Sequence, residues 1–176
     1  TGNYIINGDF ANPAMGEDEA WNLLTALGGE ATAEIKDNAL HIHTTNAGTV
    51  DYSVQIVQPG IPMEKNYTYT LSFDAYASEN RTMKTGITAP DNGYIRYFND
   101  TVVGLTTEKK HYEYTFKMTS ATDANGRLEF NLGNQSSIAD VIISNVRIER
   151  SSEPDTADEQ KSVLPDGNYV YNGEFN

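Results

Sequence analysis

The chain has no cysteine, which excludes disulfides, thiolate catalysis and cysteine-ligated zinc. It has no run of about 18 apolar residues, so no segment is suited to cross a membrane as a helix. Cations are scarce: 12 Lys and Arg stand against 25 Asp and Glu, a net charge of −13. Nucleic-acid binding needs clustered Lys and Arg against phosphate, so the balance argues against that class, and equally against anionic membranes and acidic polysaccharides. A neutral ligand, or a cation such as calcium, is compatible. Helical periodicity is almost absent. The best helix candidate, 17–27, stops at Gly28-Gly29 and reads as a loop with one turn at most. There is no Gly-rich phosphate loop, nucleophile elbow or zinc-protease motif. His41 and His43 share one strand face, but two ligands are too few for a metal centre. The opening Thr1-Gly2 lacks a signal-peptide pattern and reads as the start of a fragment cut from a larger secreted protein.

What is present is alternation. Residues 39–43, 52–56, 67–77, 82–88, 111–118, 127–132 and 141–148 follow a two-residue period. In 67–77, for example, Tyr67, Tyr69, Leu71, Phe73 and Ala75 fall on one face. Turn clusters separate the runs: Asn46-Ala47-Gly48, Pro59-Gly60, Pro90-Asp91-Asn92-Gly93 and Asp123-Ala124-Asn125-Gly126. Many short strands with regular turns predict an all-β, two-sheet antiparallel sandwich or jelly roll.

Composition changes after Arg150. Residues 151–165 open with a Ser-, Glu-, Asp- and Pro-rich stretch and read as an acidic linker. Residues 166–176 then repeat residues 1–11, with six of eleven positions identical. The expected organisation is one module over 1–150, the linker, and the first strand of a second, truncated copy. A tandem array suits binding better than catalysis, because two weak sites on one chain gain avidity.

Several short motifs resemble carbohydrate-binding modules of families 4, 9, 16 and 22. They are Asn7-Gly8-Asp9-Phe10, Trp21, Asn46-Ala47-Gly48-Thr49 before Tyr52-Ser53-Val54-Gln55-Ile56, and Tyr69-Thr70-Leu71-Ser72-Phe73-Asp74-Ala75. Leu128-Glu129-Phe130-Asn131-Leu132-Gly133 and the closing Ile143-Ser144-Asn145-Val146-Arg147-Ile148 complete the set, in order, over about residues 3–150. The resemblance implies a jelly roll that binds a glycan on a concave sheet and is appended to a secreted glycoside hydrolase, in bacteria. Many such modules hold a structural calcium.

A sugar ring carries C–H patches on its faces and hydroxyls around its rim, so its site needs aromatic platforms and polar side chains together in a groove. Trp21 is the first candidate, since it lies in a polar loop; the alternative is a loop Trp plugging the end of the sandwich. Tyr94 follows the turn Asp91-Asn92-Gly93, where similar modules place a stacking Tyr. Its alternative is edge-strand packing. Arg96 shares its parity. Gln55, Lys84, Arg127, Glu129 and Asn131 all sit opposite the core parity of their strands, and a solvated sheet face is the alternative for each. Similar modules carry amides at the places of Arg127 and Asn131, so Arg127 is a departure that puts the usual sugar preference in question. By resemblance, calcium ligands fall on Asp9, the Asn38 carbonyl and Ser144, where a carboxylate is usual. Three functions compete: a non-catalytic module for a neutral β-linked polysaccharide (β-glucan, glucomannan or related), a structural or adhesion sandwich without a sugar site, and a small glycosidase.

Overall fold

The computed structural model describes residues 2–156 and the backbone of two further strands, Lys161–Val163 and Tyr169–Tyr171. In chain order the strands are β1 (Asn22–Thr25), β2 (Gly29–Lys36), β3 (Ala39–Ala47), β4 (Val54–Met63) and β5 (Thr68–Ala77). They continue as β6 (Arg81–Thr88), β7 (Arg96–Leu105), β8 (Lys110–Lys117), β9 (Asp123–Asn131) and β10 (Val141–Arg150). One five-stranded sheet has the order β1-β4-β9-β6-β7, and the second has the order β2-β3-β10-β5-β8. Every pairing is antiparallel. The expected jelly-roll sandwich is therefore the fold.

Alternation drives it. A strand sends successive side chains to opposite faces, so one parity can be buried while the other meets solvent. Val54 and Ile56 of β4, Leu128 and Phe130 of β9, and Met83 and Ile87 of β6 point inward from the first sheet and are fully buried. Leu40 and Ile42 of β3, Tyr69, Leu71 and Phe73 of β5, and Ile148 of β10 meet them from the second. The two layers lock edge-to-face at Phe73 and Phe130, whose ring centroids are 5.1 Å apart, a favoured aromatic geometry. At one open side Phe98 of β7 stacks on Phe116 of β8 at 4.9 Å.

Three strands carried too little contrast to be read in advance. β2 turns Ala31, Ala33 and Ile35 to one side, so its apolar face is mostly alanine. β7 is an edge strand whose pairing with β6 shifts register twice, which breaks the period. β1 is only four residues long. Tyr52 and Ser53 belong to a run expected to be extended. With Asp51 they form a 3₁₀ turn before β4, because Ser53 Oγ accepts the Thr49 and Val50 N–H groups, each at 3.2 Å.

The opening residues also depart from expectation: they are not a strand. Tyr4 N–H donates to Ile148 O at 2.8 Å, and Val146 N–H donates to Gly8 O at 2.9 Å. Between these contacts side chains replace the ladder. Asn3 Oδ1 accepts from the Ile5 and Ile148 N–H groups, each at 3.0 Å. Gln58 accepts from Ile6 N–H at 2.8 Å and donates to Ile6 O at 3.0 Å. Left-handed backbone at Asn7 and Phe10 (φ 55° and 53°) turns the chain away from an extended path. Gly8 has no room for a side chain, since a Cβ would lie 2.1 Å from Val146 O.

This segment ends on Trp21. The indole is 0% exposed, stacks on Phe10 at 5.3 Å, and donates its Nε1–H to Asn7 O at 2.9 Å. The expectation that Trp21 lies on a ligand face is thus corrected: its polar neighbours in sequence hide a ring that closes the end of the core. The indole's area and its single N–H are both satisfied there, and a groove position would expose the one and free the other.

The second-copy reading of 166–176 lies outside the described residues, apart from the backbone of Tyr169–Tyr171, which pairs antiparallel with Lys161–Val163. The start of the expected linker is tied down: Ser151 N–H donates to Thr68 O and Asp155 N–H to Asn66 O, both at 2.7 Å.

Trp21→Ala is expected to cost about 3–5 kcal/mol of unfolding free energy, the range for a large aromatic removed from a core. Urea denaturation checks it, and an unchanged midpoint would refute the placement of this ring.

Candidate functional site

The outward face of the β1-β4-β9-β6-β7 sheet holds a groove of about 570 Å³. Strand register builds its floor in rows. Leu24 on β1 opposes Gln55 on β4, Gln55 opposes Asn131 on β9, and Asn131 opposes Lys84 on β6. In the next row Glu129 lies between Val57 and Gly86. Beyond it Arg127 opposes Thr88, which opposes Arg96 on β7. The inward neighbours of these residues make the core, so parity forces them outward together.

The floor is a connected polar network. Gln55 Nε2 donates to Asn131 Oδ1 at 2.8 Å. Asn131 Nδ2 approaches Glu129 Oε1 at 3.4 Å. Glu129 Oε2 accepts from Thr88 Oγ1 and from Arg127 Nε, both at 2.9 Å, and also from Arg127 Nη2. Glu129 is only 3% exposed. A carboxylate that deep needs a cation and hydrogen bonds at hand, and Arg127 with Thr88 supplies them.

The walls carry the aromatics. Tyr94 is 50% exposed and Tyr52 47% exposed, and both line the groove. They are the only aromatics among the large apolar residues exposed in the described region. Tyr94 holds a left-handed conformation at φ 59°, which is costly for a bulky residue. A tight turn imposes it, with Ala89 O accepting the Asn92 and Tyr94 N–H groups, each at 2.9 Å. The Arg127 guanidinium lies over the Tyr94 ring, 5.2 Å from its centroid.

Charges at the groove come in pairs. Besides Arg127 with Glu129, Lys84 meets Asp51 at 3.4 Å and Arg96 meets Asp100 at 2.9 Å. The hydrogen bond to Asp100 raises the pKa of Arg96 above its ordinary value. Three cations thus face three carboxylates in a chain of net charge −13.

Residues 2–137 match the sequence profile of the CBM_4_9 family, described as a carbohydrate binding domain. The chain belongs to this family. No curated protein matches the sequence. A solved structure titled "CBM4 structure and function" superposes with a TM-score of 0.76 at 21% identity, covering 84% of this chain and 99% of its own. The N-terminal cellulose-binding domain of Cellulomonas fimi β-1,4-glucanase C superposes at 0.63 with 27% identity, covering 85% and 97%. The second N-terminal cellulose-binding domain of the same enzyme gives 0.65 at 21%, covering 87% and 97%.

Of the residues singled out from the sequence of this carbohydrate-binding domain, Tyr94, Gln55, Arg96, Arg127, Glu129 and Asn131 line the groove together. Lys84 flanks it in the Asn131 row, tied to Asp51. Trp21 is in the core. Sequence reasoning missed Tyr52, Leu24 and Ala26, which line the opposite wall. In a continuous strand Tyr52 would share the inward parity of Val54. The 3₁₀ turn breaks that parity, and the Asn46-Ala47-Gly48 cluster was the only sign of a turn nearby.

Asn38 and Ser144 lie beyond the last pair of the β3–β10 ladder, and Asp9 lies on the surface beside Asn145 and Val146. The β10–β3 register ends at Ile143 opposite Leu40, so Ser144 continues toward the Asp37-Asn38 turn, and Gly8 bonds to Val146 two residues later. Asp9 is exposed and its Oδ1 accepts from Ala11 N–H at 3.2 Å. It is the one carboxylate of the three. An oxygen-only donor set suits calcium. No cluster of three His, Cys, Asp or Glu suited to a metal occurs among the described residues, so an ion here would lean on carbonyl and hydroxyl oxygens. His43 is paired with Asp140 at 2.7 Å.

The backbone at position 94 makes a stability prediction independent of ligand. Tyr94→Gly should be more stable than Tyr94→Ala by about 1 kcal/mol, because only glycine takes positive φ without a Cβ penalty. Thermal melts of the two variants check the order, and alanine equal to glycine would contradict it.

Proposed function

We propose that this domain is a non-catalytic module that holds a neutral β-linked polysaccharide chain, of the β-glucan or glucomannan class, in the groove and so targets an attached, secreted glycoside hydrolase. The observation that carries the reading is the pairing of every groove charge beneath two exposed tyrosines. Paired charges attract no ionic ligand, but they supply donors and acceptors for hydroxyls. Tyrosine rings supply flat apolar area for sugar C–H faces. The similar Cellulomonas fimi structure, a cellulose-binding domain of a glucanase, supports the same ligand class.

Affinity gel electrophoresis against a panel of soluble neutral and acidic polysaccharides tests it. Neutral β-glucans or glucomannans should retard the protein, and Tyr94→Ala and Tyr52→Ala should each weaken retention by about tenfold or more, through lost stacking and buried area. Retention should change little with salt, since no net charge is neutralised on binding. Purified protein should release no reducing sugar. Retention only by acidic polymers, or by none, would overturn the reading; in the second case a structural or adhesion role takes its place. The reading extends to a catalytic domain and a second module on the same polypeptide. The repeat in 166–176 supports the second module, because the repeated Asn3, Tyr4, Asn7, Gly8 and Phe10 are the residues that dock the opening segment. The sequence of the full-length protein checks both.

A structural calcium at Asp9, Asn38 and Ser144 is part of the same proposal. A ligand that binds only the folded state raises its stability by mass action. Excess chelator should therefore lower the melting temperature and leave glycan retention unchanged. An identical melt with and without chelator, after metal removal and calcium addition, would dismiss the site.

A further inference from the structure

The turn that presents Tyr94 is built on an Asn-Gly pair, Asn92-Gly93. Asparagine before glycine is the pair most open to attack by the next backbone nitrogen on its own side-chain amide, because glycine has no Cβ to shield that nitrogen. Such pairs occur at Asn7-Gly8, Asn92-Gly93, Asn125-Gly126 and Asn172-Gly173; the last lies outside the described residues. The fold treats the other three differently. Asn7 is held at both ends of its side chain, Nδ2 donating to Asn12 O at 2.8 Å and Oδ1 accepting from Asn12 N–H at 3.0 Å. Asn125 is held likewise, Nδ2 donating to Asp91 Oδ2 at 3.0 Å and Oδ1 accepting from Gly60 N–H at 2.8 Å. Their glycines are tightly packed: a Cβ would lie 2.1 Å from Val146 O at Gly8 and 2.7 Å from Met63 Cγ at Gly126. Asn92 and Gly93, by contrast, are both exposed. Asn92 has a single side-chain hydrogen bond, from Nδ2 to the Tyr97 hydroxyl at 3.3 Å. A Cβ at Gly93 would meet nothing within 4 Å, and the Gly93 N–H donates to no group among the described residues.

We infer that Asn92 is a site of spontaneous modification, and that its conversion undoes the turn that holds Tyr94 at the groove. Base removes the Gly93 amide proton and the nitrogen attacks Asn92 Cγ. The N–Cγ bond forms, the Cγ–Nδ2 bond breaks, and Nδ2 leaves as ammonia. The cyclic imide that remains is opened by water at either carbonyl. Opening at Cγ gives aspartate; opening at the main-chain carbon gives isoaspartate, whose chain runs through Cβ and Cγ. Water enters and ammonia departs, with nothing oxidised or reduced. Both products disturb the turn. The Tyr97 hydroxyl accepts from Asn92 Nδ2 and spends its own proton on Asp123 Oδ2 at 2.6 Å. A carboxylate at position 92 is acceptor-only, so it finds no proton there and adds its charge to that of Asp123. Isoaspartate also lengthens the main chain inside the loop where Ala89 O accepts the Asn92 and Tyr94 N–H groups, each at 2.9 Å. Tyr94 keeps its left-handed conformation at φ 59° only while that loop imposes it. The loss of Tyr94 as a sugar platform rests on the glycan reading of the groove; the chemistry at Asn92 does not.

Incubation of the purified protein in mildly alkaline buffer, followed by peptide mass mapping, tests it. The Asn92 peptide should gain the mass of NH2 exchanged for OH about tenfold or more faster than the Asn7 and Asn125 peptides, whose paired hydrogen bonds must open first. In urea, with the fold removed, the three rates should converge. Conversion of Asn7 or Asn125 first in the native protein, or an equal preference for Asn92 in urea, would overturn the inference. The modified protein carries an added negative charge and is separated by anion exchange. Its Tyr94 N–H should exchange with deuterium faster than in unmodified protein from the same incubation, and unchanged exchange would overturn the coupling to the turn. Its retention by a polysaccharide that holds the unmodified protein should fall by about tenfold, as for Tyr94→Ala; full retention would again overturn that coupling. Asn92→Gln keeps an amide at the position and should preserve retention through the incubation. Loss of retention in that variant at the wild-type rate would place the damage elsewhere and overturn the inference. If the unmodified protein binds no polysaccharide, the proposed function fails by itself, and the mass map and the exchange at Tyr94 still decide the modification.

Discussion

Burial of one side-chain parity between two sheets is the constraint on which everything else here depends. Phe73 and Phe130 meet edge to face at its centre, and the strands around them have to send alternate residues inward. Once Leu128, Phe130 and Leu132 are committed to the core, Arg127, Glu129 and Asn131 have no choice but the outer face. The groove is therefore not an addition to the fold. It is the complement of the core, read on the other parity of β4, β6 and β9.

A sandwich has open ends, and this one closes an end with its opening residues. The segment from Asn3 to Phe10 borrows side chains, Asn3 and Gln58, where a strand would use a ladder. It delivers Phe10 onto Trp21. Because Asn7 offers its carbonyl to the indole N–H, the only tryptophan is satisfied without water. Within this segment Gly8 cannot change, since main chain lies where its Cβ would be. This closure lies between the sheets and leaves the outer face free for the groove.

The groove sustains a desolvated carboxylate by giving it a guanidinium and a threonine hydroxyl. Such a couple adds little net stability, because desolvation offsets most of the attraction. Its consequence is chemical: it puts strong donors and acceptors at the floor while presenting no net charge. The walls are built differently. Tyr94 is held by a strained turn and Tyr52 by a 3₁₀ turn, so both platforms come from irregular backbone at the rim while the polar floor comes from regular strands.

That division decides what the amino-acid order revealed. Alternation is local, and it suffices to predict the sandwich and to place Gln55, Arg127, Glu129 and Asn131 on the face away from the core. Turn chemistry is local too, and Asp91-Asn92-Gly93 marked the turn before Tyr94, whose place at the groove the resemblance to similar modules implied. What could not be read is whatever depends on contacts distant in the chain. Trp21 looked exposed among acidic neighbours, yet its surroundings are set by Phe10, Asn7 and Phe130, which no local pattern brings together. Tyr52 looked inward by parity until Ser53 bent the backbone. β2 and β7 lacked contrast because alanine and edge positions gain their burial, or their solvent, only from the neighbouring strand. Side-chain parity is a property of a strand alone, and so the sequence determined it. Which ring fills the end of the core and which stands at its rim is a property of how strands and loops pack, and only the tertiary structure decided it.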